Sequence, residues 1–103
     1  MKRLLAFLAA VPIVVFAQTM RPHAYVPPNG FVPDSATAVR IAVAIWTPIY
    51  GEQQIAAEQP YHAQLRAGTW TVSGSLPPNH VGGVAVAEIA KRDARVLRVS
   101  HGL

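Results

Sequence analysis

Four histidines give this sequence its widest chemical options, because imidazole can bind a metal or transfer a proton near neutral pH. They are His23, His62, His80 and His101. No two lie four residues apart and the chain has no cysteine, so the sequence lacks the closely spaced ligand pairs typical of zinc sites. The sequence therefore predicts no metal site and no cofactor.

Nucleophiles and acids are equally sparse. Ser100 and His101 are neighbours in a predicted strand, and adjacent strand residues point to opposite faces of a sheet. Three acids have structural explanations: Asp34 as a helix cap, Glu88 as a cross-strand partner and Asp93 as a turn residue. No two carboxylates are predicted to converge on a substrate. We therefore expect no catalytic residues and a protein that is not an enzyme.

The rest of the chain is arranged around an apolar helix predicted between Pro33 and Gly51. Asp34 is placed as its N-cap, Pro48 perturbs its last turn, and Gly51 supplies the left-handed stop. Apolar residues recur at spacings of three and four and line one face. They are Ala38, Ile41, Ala42, Ile45, Trp46 and Ile49. A helix this apolar must be covered, most simply by a sheet.

A first hairpin is predicted after residues 52–59, which are interpreted as a connecting loop or ragged turn. Alternating apolar and polar residues indicate two strands around a two-residue loop at Ala67-Gly68. This loop pairs Leu65 with Trp70 and Ala63 with Val72 on one face. It also places Tyr61 opposite Gly74, which predicts that the glycine makes room for the ring or for a bulge.

A second hairpin is predicted from residues 84–91 and 95–101. A three-residue turn at 92–94 pairs Ile89 with Leu97 and Ala87 with Val99, and places Glu88 against Arg98. Ala94 then occupies a left-handed position that usually holds glycine. The predicted fold is α+β: one N-terminal amphipathic, apolar helix packed on a four-stranded antiparallel sheet of two hairpins.

The N-terminal residues indicate export. Lys2 and Arg3 precede an apolar run over residues 4–17, and small residues before Gln18 predict a signal peptide cleaved after Ala17. An uncleaved membrane anchor is the less favoured alternative, because a spanning helix needs about 20 residues. Residues 1–17 are thus assigned as signal peptide, 18–30 as a proline-rich arm and 31–103 as the domain. The expected location is periplasmic or secreted, with membrane contact only through the signal peptide.

Positive charge is concentrated near the C-terminus of a chain whose net charge is +4. In an exported protein such a cluster indicates an anionic protein face or lipid headgroups rather than nucleic acid. The favoured interpretation is a solvated edge hairpin, because edge strands commonly carry Lys and Arg. The cluster consists of Lys91, Arg92, Arg95 and Arg98.

The large aromatic residues are predicted to lie mainly in the core, with a partly exposed platform at the helix C-terminus as the alternative. Beside that platform, the glycine-rich stretch 77–83 could form part of a protein-binding surface. The candidate partner-binding residues are Trp46, Tyr50, Pro78, Asn79, His80, Gly82, Gly83 and Arg98.

Five segments in a fixed order resemble a known family. They are AIWTPIYG (44–51), PYHAQL (60–65), WTVSGSLP (70–77), GGVAVAEI (82–89) and VLRVSHG (96–102). Together they are similar to the nuclear-transport-factor-2-fold immunity proteins of bacterial polymorphic toxin systems, over roughly residues 31–103. The chain is short for the cone with several helices that this fold name implies, so we expect a reduced, cystatin-like version.

The resemblance implies a small non-enzymatic protein that binds and neutralises a cognate toxin. Separately, we expect the protein to be a monomer or weak dimer. Two other classes stay open at this point. One is a general periplasmic interaction or protease-inhibitor-like module with no toxin partner. The other is a small-ligand enzyme of the wider superfamily, which would need a deep apolar pocket holding an acid.

Overall fold

A computed structural model describes residues 23–102, so the predicted signal peptide lies outside the described residues. Two helices are followed by four strands. The elements are α1 (Ser35–Tyr50), α2 (Glu52–Ala56), β1 (His62–Arg66), β2 (Thr69–Ser73), β3 (Ala85–Ala90) and β4 (Val96–His101). None of the described helices is long and apolar enough to cross a membrane.

Helix α1 begins and ends where the sequence predicts. The Asp34 side chain accepts a hydrogen bond from the Thr37 backbone N–H, and Gly51 ends the helix with a φ of 97°. The buried face is narrower than predicted, because only Ala38, Ala42 and Trp46 are fully buried along α1. Ile49 was expected on that face but is 57% exposed, because it lies in the last turn of the helix.

The four strands form one antiparallel sheet in the order β1-β2-β3-β4. Helix α1 packs on one face, against β1, β2 and β3. This arrangement confirms the predicted α+β class and places the core between helix and sheet. The core consists of Val32, Ala38, Ala42, Trp46, Ile55, Trp70, Val72, Ala85, Ala87 and Ile89.

The first hairpin has the predicted register. Leu65 pairs with Trp70 and Ala63 with Val72 around the two-residue turn. The prediction for Gly74 is wrong: a Cβ at this position would collide with the side chain of Glu58, so the glycine makes room for a carboxylate rather than for the Tyr61 ring.

The second hairpin differs from its predicted register near the turn. Ala87 pairs with Val99 and Glu88 with Arg98 as expected, but Ile89 pairs with Val96 rather than Leu97. The register shifts between Glu88 and Ile89, so Leu97 is the additional residue of a β-bulge. The bulge absorbs one residue that simple counting from the turn had assigned to a pair. Ala94 has the predicted left-handed conformation, with a φ of 65°.

Residues 52–59 contain a short helix, so the prediction of a connecting loop was wrong. Helix α2 follows Gly51 directly and buries Ile55, the single large apolar residue of the segment. One apolar residue in a polar stretch gives no periodicity, which is why the helix was missed. Its importance lies in placing Glu58, just beyond its end, under the sheet.

Residues 25–32, here called the N-terminal strap, precede α1 and lie along the end of the sheet that carries the turn between β3 and β4. Phe31 and Val32 donate their backbone N–H groups to the carbonyls of Arg92 and Lys91, each at 3.0 Å. The Trp70 indole N–H donates to the Val32 carbonyl at 2.8 Å. The strap is thereby fixed to the turn between β3 and β4.

Candidate partner-binding site

A buried carboxylate, Glu58, joins three parts of the chain at the C-terminal end of α1. Its Oε1 accepts from the Ala85 backbone N–H at 2.7 Å. Its Oε2 accepts from the Gln54 amide at 2.9 Å and contacts His101 Nε2 at 2.7 Å. Glu58 is only 3% exposed and is the one buried charged residue of the described chain. The carboxylate therefore links α2, the start of β3 and the end of β4.

His101, the partner of Glu58, makes contacts through both ring nitrogens and through its ring face. His101 Nδ1 lies 2.8 Å from the Gly102 carbonyl oxygen, and the imidazole packs against the Tyr50 ring with 5.0 Å between centroids. Both ring nitrogens face acceptors, and only the imidazolium can donate from both. The hydrogen bonds to Glu58 and to the Gly102 carbonyl raise the pKa of His101 above its ordinary value, against the smaller opposing effect of burial.

The pKa of Glu58 is shifted in the opposite direction to that of His101. Burial acts to raise the pKa of Glu58, but the hydrogen bonds from Ala85, Gln54 and His101 and the charge of His101 together outweigh it. The pKa of Glu58 therefore lies below its ordinary value. Because donors engage both oxygens, the carboxylate is poorly placed to accept a proton from a substrate as a general base would.

A shallow cleft of about 420 Å³ opens above this pair. One wall is the 76–83 loop, defined as residues 76–83 between β2 and β3. The loop carries two exposed apolar side chains: Val81 is 98% exposed and Leu76 is 40% exposed. Gly83 lies against the backbone of Gly102, where a Cβ would collide, so the loop base is tightly packed. The lining residues are Gln54, Ala57, Glu58, Leu76, Pro77, His80, Val81, Gly82, Gly83, His101 and Gly102.

Several of the candidate residues predicted from sequence meet at this cleft. His80, Gly82 and Gly83 line it, and Tyr50 borders it through His101. Pro78 and Asn79 lie in the same loop and are exposed; Asn79 has a φ of 63°, which asparagine tolerates better than most residues. Through its contact with His101, Tyr50 places the end of α1 near the loop.

Two candidates lie elsewhere. Trp46 is fully buried against Tyr61, with ring centroids 5.8 Å apart, so it belongs to the core and is not accessible to a partner. Its helical spacing places it on the inward face of α1. Arg98 forms a 2.8 Å ion pair with Glu88, which the strand alternation places on the sheet face opposite α1. It is therefore not part of the cleft.

Sequence reasoning missed the Glu58–His101 pair. The two residues are 43 positions apart, and their contact depends on how α2 folds back under the sheet. One signal was present: Glu52 and Glu58 were the acids for which no predicted element gave a role. Among residues 23–102, no group of three or more His, Cys, Asp or Glu side chains is positioned to hold a metal ion.

The model of a protein family described as NTF2 fold immunity protein matches residues 37–102, which include α1, all four strands and the whole cleft. The chain belongs to the NTF2-fold immunity protein family. This confirms the family indicated by the five sequence segments. The family description indicates a toxin-neutralising binding role.

One relative of this NTF2-fold immunity protein is the uncharacterized protein YhhH of Escherichia coli strain K12. The two are 32% identical over 75 residues, which cover 72% of this chain and 59% of the relative. The matched region thus spans under two thirds of YhhH's length. No solved structure gives a significant match to the chain.

Proposed function

We propose that this protein neutralises a cognate bacterial toxin by binding it, with the 76–83 loop and the adjoining cleft as the contact surface. The observation that carries the proposal is membership of an immunity protein family over residues 37–102. The choice of surface rests on the loop, which presents apolar side chains to solvent beside a cleft.

Val81 is the best anchor on this surface. A valine that is 98% exposed contributes nothing to the core, yet it would bury its whole side chain if it entered a pocket on a partner. Gly82, which follows Val81 and is exposed, leaves space for a partner's backbone to approach. Interfaces commonly have a few apolar anchors surrounded by polar residues, and His80 and Asn79 supply the polar rim here.

Hydrogen bonds constrain the 76–83 loop and the residues that flank it. The His80 N–H donates to the Pro77 carbonyl at 3.2 Å, and the Gly102 N–H donates to the Val84 carbonyl at 3.3 Å. The Glu58 carboxylate holds the first residue of β3 just after the loop. A preformed surface loses less conformational entropy on association.

We also propose that the protein acts in the periplasm or outside the cell. The support is the basic N-terminus followed by the apolar run over residues 4–17, which is typical of a secretory signal peptide. A toxin that crosses the envelope would meet its inhibitor there.

Affinity capture from envelope extracts of the native host, read by mass spectrometry, tests this function. We expect the tagged full chain to recover one toxin-like protein in stoichiometric amount. The Val81→Asp variant should lose it. Ala36→Asp is the matched control, because it adds the same charge at an exposed position near the other end of α1.

Recovery of envelope proteases or assembly factors in place of a toxin would overturn the immunity function and support a general interaction module. Recovery of the toxin by Val81→Asp at the wild-type level would overturn the assignment of the surface.

A further inference from the structure

Two turns meet at the end of the sheet opposite the cleft. The Lys91 backbone N–H donates to the Gly68 carbonyl at 2.9 Å, which joins the turn between β3 and β4 to the turn between β1 and β2. These turns and their flanks carry four cations, here called the basic end. They are Arg66, Lys91, Arg92 and Arg95.

The charge of the basic end is turned to solvent. Arg66, Arg92 and Arg95 are exposed, and within residues 23–102 the ion pairs join other residues, Arg98 with Glu88 and His101 with Glu58. Two acids reduce the local charge: Asp93 in the turn and Asp34 at the start of α1. Both carboxylates are already occupied by backbone N–H groups.

The far end of the domain has no comparable group of exposed Lys and Arg side chains among the described residues. Glu52 is exposed there and Glu58 is paired with His101, so positive charge is concentrated at the basic end. The two ends are separated by the 16-residue helix, which corresponds to about 24 Å at the usual rise per residue.

Exposed apolar and aromatic side chains adjoin the basic end. In the N-terminal strap, Tyr25 is 62% exposed, Val26 is 72% exposed and Phe31 is 48% exposed. Val26, with the two prolines that follow it, lines a groove of about 480 Å³ whose other wall includes Lys91 and Arg92. Aromatic and aliphatic side chains beside Lys and Arg are the combination found where proteins rest on membrane surfaces.

The path of the chain leads to the same end. Val26 lies against the basic end, three residues after the first described residue, His23. Residues 1–22, with the apolar run over 4–17, therefore join the domain on this side.

We propose that the basic end docks on an anionic phospholipid surface. The cations contact the headgroups, and Tyr25, Val26 and Phe31 enter the interfacial layer. This goes beyond toxin binding and beyond contact through the N-terminal segment alone. Because the 76–83 loop is at the other end of the domain, docking leaves the candidate partner-binding site directed away from the lipid.

Vesicle cosedimentation of the full chain tests the proposal, using phosphatidylcholine vesicles with and without 30% phosphatidylglycerol. The apolar N-terminal run partitions into both kinds of vesicle, so the measured quantity is the ratio of the two partition coefficients. A cation near an anionic membrane contributes about 1 kcal/mol, or roughly a fivefold change in partitioning. We expect a clear preference for phosphatidylglycerol that disappears at high salt.

Single charge-reversal variants distinguish docking through the basic end from a general effect of the protein's net charge. Arg92→Glu should reduce the phosphatidylglycerol preference at least about fivefold, and Arg95→Glu should do the same. Arg40→Glu is the matched control, because Arg40 is exposed on α1 and its reversal changes the net charge by the same amount. We expect it to have a much smaller effect, and circular dichroism verifies that each variant is folded.

Equal partitioning of the wild type into both kinds of vesicle would overturn the proposal. An equal loss in Arg40→Glu and Arg92→Glu would also overturn it, because the preference would then reflect total charge. The proposal would also be overturned if the wild type bound neither kind of vesicle while its basic end bound an acidic protein.

Discussion

At the residue scale, Glu58 is the one buried charged side chain among residues 23–102. Its carboxylate is buried and accepts three hydrogen bonds, from α2, β3 and β4. Loss of a buried acceptor leaves its donors without partners, and such donors cost far more than an ordinary hydrogen bond contributes. Glu58 thus fixes the relative positions of the helix end, the 76–83 loop and the last strand, on which the candidate partner-binding site depends.

Removal of this carboxylate should therefore destabilise the domain strongly. We expect Glu58→Ala to lower the free energy of unfolding by about 2–4 kcal/mol, because it leaves the Ala85 N–H and a partly buried His101 without their acceptor. Urea unfolding followed by tryptophan fluorescence measures this. Glu52→Ala, at the exposed start of α2, should change stability by less than about 0.5 kcal/mol. Similar losses in the two variants would contradict the role given to Glu58.

The Glu58–His101 pair should also give the protein a specific pH dependence. The raised pKa of His101 means that its contribution is complete below the unfolded value of 6.5 and is lost as pH rises through the higher folded value. The lowered pKa of Glu58 means that its contribution is complete above the unfolded value of 4.5 and is lost as pH falls through the lower folded value. Stability from the pair is therefore greatest between these limits.

Unfolding free energies measured from pH 5 to 9 should fall on the alkaline side in the wild type, as His101 loses its proton. In His101→Asn that fall should be largely absent, because asparagine does not titrate in this range. His80→Asn should keep the wild-type profile, because His80 is exposed and makes no contact with a carboxylate in the described chain. A wild-type profile that rises through this range would contradict the assigned pair.

At the scale of elements, the contact between the segment after β2 and the segment after α2 depends on one small residue. Gly74 follows β2 and lies against the Glu58 side chain, where a Cβ would overlap Oε1. Its φ lies outside the left-handed region, so alanine is excluded here by space rather than by backbone conformation.

Gly74→Ala should consequently lower stability by about 1–3 kcal/mol through overpacking. A double-mutant cycle gives the cause: in a Glu58→Ala background the added methyl has room, so the same substitution should cost much less. Denaturant unfolding of the four proteins measures the coupling. Strictly additive effects would show that Gly74 acts independently of Glu58.

The elements that local patterning determines were predictable from sequence. The cap at Asp34, the helix stop at Gly51 and the pairing of Leu65 with Trp70 all follow from short-range chemistry and strict alternation. Leu97 was mispaired because a bulge shifts the register without a marker such as glycine. Helix α2 was missed because five residues with one apolar side chain show no period. The Glu58–His101 contact was missed for a different reason: it depends on tertiary placement, which local patterns do not encode.

At the scale of the whole molecule, α1 separates two chemically distinct ends. One end has the cleft, the Glu58–His101 pair and the exposed Val81; the other has the cations and the N-terminal strap. Family membership indicates a binding role, and we propose that the partner binds at the first end. The second end, which carries the cations, is the one that we propose docks on an anionic lipid surface.

Growth protection is the most direct test of the central claim, that the chain neutralises a toxin through the 76–83 loop. Cells would express the toxin-like protein recovered by affinity capture, together with the wild type, Val81→Asp or Ala36→Asp. We expect the wild type and Ala36→Asp to restore growth and Val81→Asp to fail at an equal protein level. No protection by the wild type would contradict the immunity function, and full protection by Val81→Asp would contradict the surface assigned to it.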